Sequence, residues 1–95
     1  MFLHLGRDVI VETESIVAVL DMDTATGSKK TKEFLRVAEK SGRLFVVTDE
    51  LPKSAVVCLE NGVQTVYICQ ISSKTLGKRI ESNSDWEDLS RSFGG

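Results

Sequence analysis

The residues able to do chemistry in this 95-residue chain are few and badly placed for catalysis. The one histidine, His4, sits inside the apolar stretch Phe2-Leu3-His4-Leu5, where a packed or edge-strand side chain is the simplest reading. Cys58 and Cys69 also lie in apolar stretches, with no histidine or further cysteine at the spacing of a zinc site. Asp21 and Asp23 form a pair of carboxylates at the end of an apolar run. Aspartates there accept turn hydrogen bonds more readily than they act as acid and base. No serine has an identifiable base and orienting group. Gly27-Ser28-Lys29-Lys30 lacks the first glycine of a phosphate-binding loop. These observations point away from an enzyme and imply no metal and no cofactor.

What remains is electrostatic. The net charge of −2 argues against strong nucleic-acid binding only if charge is spread evenly, and it is not. Residues 28–43 set Lys29, Lys30, Lys32, Arg36, Lys40 and Arg43 against Glu33 and Glu39. Residues 74–79 add Lys74, Lys78 and Arg79 with no acid among them. Residues 1–27 and 80–95 are acidic. Lysine and arginine hold phosphates without reading sequence. The one aromatic residue within the basic blocks, Phe34, belongs to the apolar side of its helix, so base stacking is not indicated. Lys53, Lys74, Lys78 and Arg79 are therefore candidate phosphate contacts. Lys29, Lys32, Arg36, Lys40 and Arg43 form a second candidate surface, for which a solvated helix face is the plainer account.

The elements that must position these cations follow from pattern. Phe2 to Leu5 and Val9 to Val11 flank the turn Gly6-Arg7-Asp8 and read as a hairpin. Ile16 to Met22 reads as a third strand, followed by a polar loop from Asp23 to Ser28. Ser28 is a plausible N-cap for a helix over Lys29–Lys40. Phe34, Leu35, Ala38 and Ser41 share one face of that helix, and Gly42 stands at its C-cap. Arg43 to Thr48 reads as a fourth strand. Ser54–Glu60 and Val63–Gln70 flank Asn61-Gly62, a strong hairpin signal. A two-residue turn there makes Val57 face Val66 and Ala55 face Ile68. It also sets Cys58 opposite residue 65 and Cys69 opposite residue 54, too far apart for a disulfide. Ser72 or Ser73 caps a short helix through Ile80, with Leu76 and Ile80 turned inward.

Three segments, 16–20, 44–47 and 55–59, are apolar runs rather than alternations, the pattern of strands buried on both faces. One strong helix can cover one face of such a sheet. A second copy of the chain is then the expected cover for the other, which makes the protein a homo-oligomer. Apolar residues at 41 % and charged residues at 27 % fit one globular domain. Residues 1–80 are expected to form that single domain, with residues 81–95 an acidic tail. In the tail Trp86, Leu89 and Phe93 are spaced as one stripe of a short helix, which could dock on its own subunit, dock on a neighbour or fray. No stretch is long and apolar enough to span a membrane, and the N-terminus lacks the pattern of a signal peptide, so a cytoplasmic protein is expected.

Several segments taken in order resemble the RemA/RemB family of regulators of extracellular-matrix (biofilm) genes, on its RemB side. They are Met1-Phe2-Leu3-His4-Leu5-Gly6, the strand over 16–20, Ala38-Glu39-Lys40-Ser41-Gly42, Lys53-Ser54-Ala55-Val56-Val57 and Ile71-Ser72-Ser73-Lys74-Thr75-Leu76-Gly77-Lys78-Arg79. The resemblance implies an α+β fold similar to LytTR DNA-binding domains, a ring-shaped homo-oligomer and a transcriptional regulator that binds double-stranded DNA. It also implies that the loop before the Ala-Val-Val strand carries DNA-contacting arginines. Here that loop reads Leu51-Pro52-Lys53-Ser54, with Lys53 its one cation, and neutral Ser15 falls about where a basic residue precedes the third strand.

The fold expected is α+β: a mostly antiparallel sheet of five to six strands, one main helix and a short C-terminal helix. Two functions follow. One is a homo-oligomeric DNA-binding regulator. The other, motivated by the acidic pI and the missing arginines, is a structural or protein-interaction module without DNA activity, using a sheet face or the Trp86, Leu89 and Phe93 stripe.

Overall fold

The computed structural model describes residues 1–25 and 27–82. The expected tail stripe of Trp86, Leu89 and Phe93 lies outside them. Chain order is β1 (Phe2–Gly6), β2 (Val9–Glu12), a 3-10 turn (Thr13–Ser15), β3 (Ile16–Asp21), α1 (Met22–Ala25), α2 (Lys29–Lys40), β4 (Leu44–Val46), β5 (Ser54–Glu60), β6 (Val63–Cys69) and α3 (Ser73–Ser82). The α+β class is as expected. The arrangement of strands is not: β1 and β2 form a sheet of their own, and the other four make a second sheet in the order β3-β5-β6-β4. β4 runs parallel to β6, and the other pairs are antiparallel. The loop expected over 23–28 begins instead as the single turn α1.

The β5–β6 hairpin is the spine of the larger sheet. Asn61 and Gly62 both take left-handed conformations, φ +52° and +78°, as a two-residue type I′ turn requires. The register is the expected one: Val57 pairs with Val66, Ala55 with Ile68, Cys58 with Thr65 and Ser54 with Cys69. The cysteines are free and buried. Residues 54–58 are buried on both faces, as a run of small and β-branched residues demands.

Alternation along β5 and β6 separates two cores. On one face Ala55, Val57, Val66 and Ile68 meet Phe34, Leu35 and Ala38 of α2. Ser28 Oγ accepts the Thr31 amide at 3.4 Å to start that helix. It stops in a Schellman arrangement around Gly42, with the Arg43 amide donating to the Ala38 carbonyl at 2.9 Å. On the other face Val56, Cys58 and Cys69 pack with Leu3, Leu5, Val11, Val47 and Leu76.

That second core corrects the reason given for an oligomer. The face left bare by α2 is dried within the subunit, by the β1–β2 hairpin and α3. The hairpin alternates strictly: Leu3, Leu5 and Val11 are buried, whereas Phe2, His4 and Ile10 are exposed. One-sided alternation suits a layer laid over a sheet rather than an extra strand inside it. In β3 the apolar run has a different cause from the one expected. A register shift between Ile16 and Ala18 inserts Val17 as an unpaired residue. Ile16 and Val19 therefore serve one core, Ala18 and Leu20 the other, and Val17 is exposed.

Two close contacts hold the hairpin and α3 down. A Cβ on Gly6 would sit 2.5 Å from the Val47 carbonyl oxygen, so the turn lies directly on the chain after β4. Leu76 is fully buried in α3, whose start is capped by Ser72 Oγ accepting the Thr75 amide at 3.1 Å. Leu76→Ala should cost about 2–5 kcal/mol through the cavity it leaves. Gly6→Ala should cost roughly 1–3 kcal/mol, from collision and from its φ of +150°. Urea denaturation of each variant measures both losses.

Candidate nucleic-acid interface

Lys53 enters the site through its backbone. Its amide donates to the Cys69 carbonyl at 2.9 Å, and its carbonyl accepts the Met22 amide at 3.0 Å. The side chain is exposed. Next to it, fully buried Ser54 donates from Oγ to the Ile71 carbonyl at 2.7 Å, tying the start of β5 to the segment that leads into α3. Ser73, first residue of α3, donates to Asp21 Oδ2 at 3.4 Å, while Asp21 Oδ1 accepts the Asp23 amide at 2.8 Å. Of the two aspartates, Asp21 thus does the turn work expected of the pair. The end of β3, the start of β5 and the start of α3 meet at one end of the larger sheet, and Lys53 and Lys74 emerge there.

On α3, Leu76 and Ile80 pack inward, so at about 100° per residue Lys74 and Lys78 fall on the opposite side. Arg79 lies to one side of that pair. It lines a cleft of about 420 Å³ between the β1–β2 turn, the chain after β4 and α3.

The second basic surface is weaker than its composition suggests. Lys29, Lys32, Arg36 and Lys40 are exposed on α2. Arg36 is already engaged by Glu33, through Nη2 at 2.8 Å and Nε at 3.2 Å. This hydrogen-bonded pairing holds the Glu33 carboxyl below its usual range and raises Arg36. Arg43 leaves the stripe: past the helix end it is half-buried and donates from Nη1 to the Gln64 carbonyl at 2.7 Å, bracing β4 against β6. A helical stripe that included Arg43 would need α2 to continue past Gly42, where it has ended. α2 and α3 also cover opposite faces of the larger sheet, so the two basic surfaces are not brought together.

Arg7 is the cation that sequence reasoning passed over. It sits in the β1–β2 turn in a left-handed conformation, φ +49°, and its guanidinium is paired with Asp49. His4 Nε2 lies 2.6 Å from the Arg7 carbonyl and bonds it through the ring N–H. A residue numbered 7 gives no hint that it will stand near residues 49 and 79. Only the folding of the hairpin over the sheet puts it there.

Both cysteines are buried free thiols. Burial pushes the Cys58 thiol up, more than a hydrogen bond with Ser15 draws it down, and burial likewise raises Tyr67. Among the described residues no group of three or more His, Cys, Asp and Glu side chains is gathered to hold a metal, and no helix is long and apolar enough to cross a membrane.

The order of strands, the two cores and the basic α3 can now be set beside known proteins. A family model described as RemA-like, extracellular matrix regulatory protein A-like, matches residues 2–80. The chain belongs to the RemA-like family. It is also 35 % identical over 81 residues to extracellular matrix regulatory protein B of Bacillus subtilis (strain 168), an alignment covering 85 % of this chain and 91 % of that protein. The RemA-like match includes Arg7, Lys53, Lys74, Lys78 and Arg79, and it stops at the last inward residue of α3, Ile80.

The raised Cys58 and Tyr67 groups make a sign-specific prediction. Folding favours their protonated forms, so this contribution is complete below the unfolded thiol pKa and is lost as pH rises through the folded values. The urea midpoint should therefore decline at alkaline pH, and Cys58→Ala should show a smaller decline.

Proposed function

We propose that this protein is a cytoplasmic, homo-oligomeric DNA-binding regulator of transcription, acting on extracellular-matrix genes, with a fold akin to LytTR DNA-binding domains. What supports this reading is that Lys74, Lys78 and Arg79 lie on α3, whose start is tied to the sheet end where Lys53 emerges, in a chain whose family is described as extracellular matrix regulatory. Cations set on rigid elements keep a fixed spacing, which phosphate contacts along a duplex need. A single subunit offers few such contacts. Copies arrayed around a closed assembly multiply them, so affinity comes from repetition.

Assembly has its own support. Phe45 and Val46 are exposed on edge strand β4, Val17 on edge strand β3, and Leu51 is 81 % exposed in the loop before β5. Open sheet edges carrying apolar side chains are natural sites of self-association. A protein-interaction module without DNA activity is the second reading. It draws on the ion pairs at Arg7 and Arg36 and on the structural use of Arg43, which leave less free positive charge than the sequence contains.

Light scattering should give a mass several times the 10.5 kDa subunit, and added duplex should raise it. The Lys78→Ala, Arg79→Ala double variant should bind every duplex more weakly and lower the slope of log affinity against log salt by about 2 for each subunit in contact with the duplex. Retention of full affinity by that variant, or no retardation of a promoter-length duplex at low salt by the assembled wild type, contradicts the DNA-binding reading.

A further inference from the structure

The cleft beside α3 is lined by two arginines. Arg7 and Arg79 approach it from different elements, the β1–β2 turn and the last stretch of α3. Arg7 is placed by construction rather than by chance. Gly6 lets the turn lie against the Val47 carbonyl, a left-handed backbone holds residue 7 itself, and His4 fixes the Arg7 carbonyl. Left-handed non-glycine residues are uncommon, and arginine has no side-chain reason to adopt that conformation.

The Arg7 guanidinium is not bare. Asp49, from the loop after β4, holds it in an ion pair whose two side chains are 54 % and 85 % exposed. A pair so open to water is held weakly and exchanges readily for another anion. Glu50 also lines the cleft, with His4 and Gln70 as further polar groups. The two arginines are thus balanced by two acids belonging to the same chain.

We infer that this cleft is a phosphate-group site in which Arg7 and Arg79 form the clamp and Asp49 is the built-in competitor that occupies Arg7 until a phosphate displaces it. The inference rests on the proposed DNA binding for its main ligand, a backbone phosphodiester; a free phosphate ion shares the chemistry. Arginine suits the role because its planar fork donates two parallel hydrogen bonds to a carboxylate or a phosphate alike. The carboxylate on Arg7 marks where a phosphate oxygen would go. Asp49 then sets a threshold: a free phosphate ion has to be supplied at high concentration to displace the tethered carboxylate, whereas a duplex held by Lys53, Lys74 and Lys78 presents its phosphate at high local concentration from the start.

The test uses the full chain and two ligands. Side-chain Nε–Hε resonances of Arg7 and Arg79 are followed by NMR during titration with inorganic phosphate, against chloride at matched ionic strength. Both resonances should move with phosphate and not with chloride, and Asp49→Asn should lower the midpoint about two- to fivefold, the range of an exposed ion pair's strength. In parallel, duplex affinity should rise by a similar factor in Asp49→Asn. In Arg7→Ala it should fall, with the salt slope reduced by about 1 for each subunit in contact with the duplex. Thermal unfolding of each variant verifies that the fold is kept. Phosphate-specific shifts without duplex retardation would keep the cleft and remove the DNA reading. Duplex binding with no phosphate-specific shift, and with Arg7→Ala and Asp49→Asn unchanged, would overturn the cleft and leave the DNA reading standing.

Discussion

A four-stranded sheet whose central hairpin is apolar on both sides must keep two faces dry, and everything else in this molecule answers to that requirement. Val56, Cys58 and Cys69 face one way, Ala55, Val57, Val66 and Ile68 the other, and all are buried. At about 25 cal/mol per Å² of apolar area, leaving either side wet would forfeit a large part of the folding free energy of so small a domain. The chain meets the requirement asymmetrically. One amphipathic helix covers one face. The other takes the N-terminal hairpin and a short C-terminal helix together, through Leu3, Leu5, Val11 and Leu76.

That asymmetry also decides where charge goes. α2 spends its apolar side on one core and shows lysines to water, while α3 inserts Leu76 into the other core and shows Lys74 and Lys78. α3 is anchored where β3 ends and β5 begins, through Ser73 to Asp21 and Ser54 to the Ile71 carbonyl, so its first residues start from the same end of the sheet as Lys53. The same packing that dries the second face carries the β1–β2 turn, and Arg7 with it, to the side of α3. Structural economy and the candidate phosphate surface are in this sense one arrangement.

Much of this was legible in the residues, and the misses have physical reasons. Asn61-Gly62 fixes a local turn, and a local turn fixes register, so the β5–β6 pairing and the separation of the two cysteines follow directly. Ser28 and Gly42 bound α2 by capping geometry that depends on neighbours in sequence. The destination of the first hairpin does not: alternation in Leu3, Leu5 and Val11 says that one side is buried, not against what. Taking those strands into the main sheet left a face without a cover and made a second subunit necessary for that purpose. The bulge at Val17 was hidden because an inserted residue turns an alternation into an apparent run. Arg43 is grouped with the helix cations by nearness in sequence, but it follows the glycine that ends the helix and so points elsewhere. Arg7 and Asp49 are 42 residues apart and meet only through tertiary packing.

Native-state hydrogen exchange on dilute protein tests most directly the claim that the second face is dried from within the subunit. If the hairpin is part of that core, amides of the β1–β2 ladder will be released only in the same cooperative opening as those of β5, with the same dependence on denaturant. Fast exchange of the β1–β2 amides at low denaturant, while β5 and β6 stay protected, would contradict it.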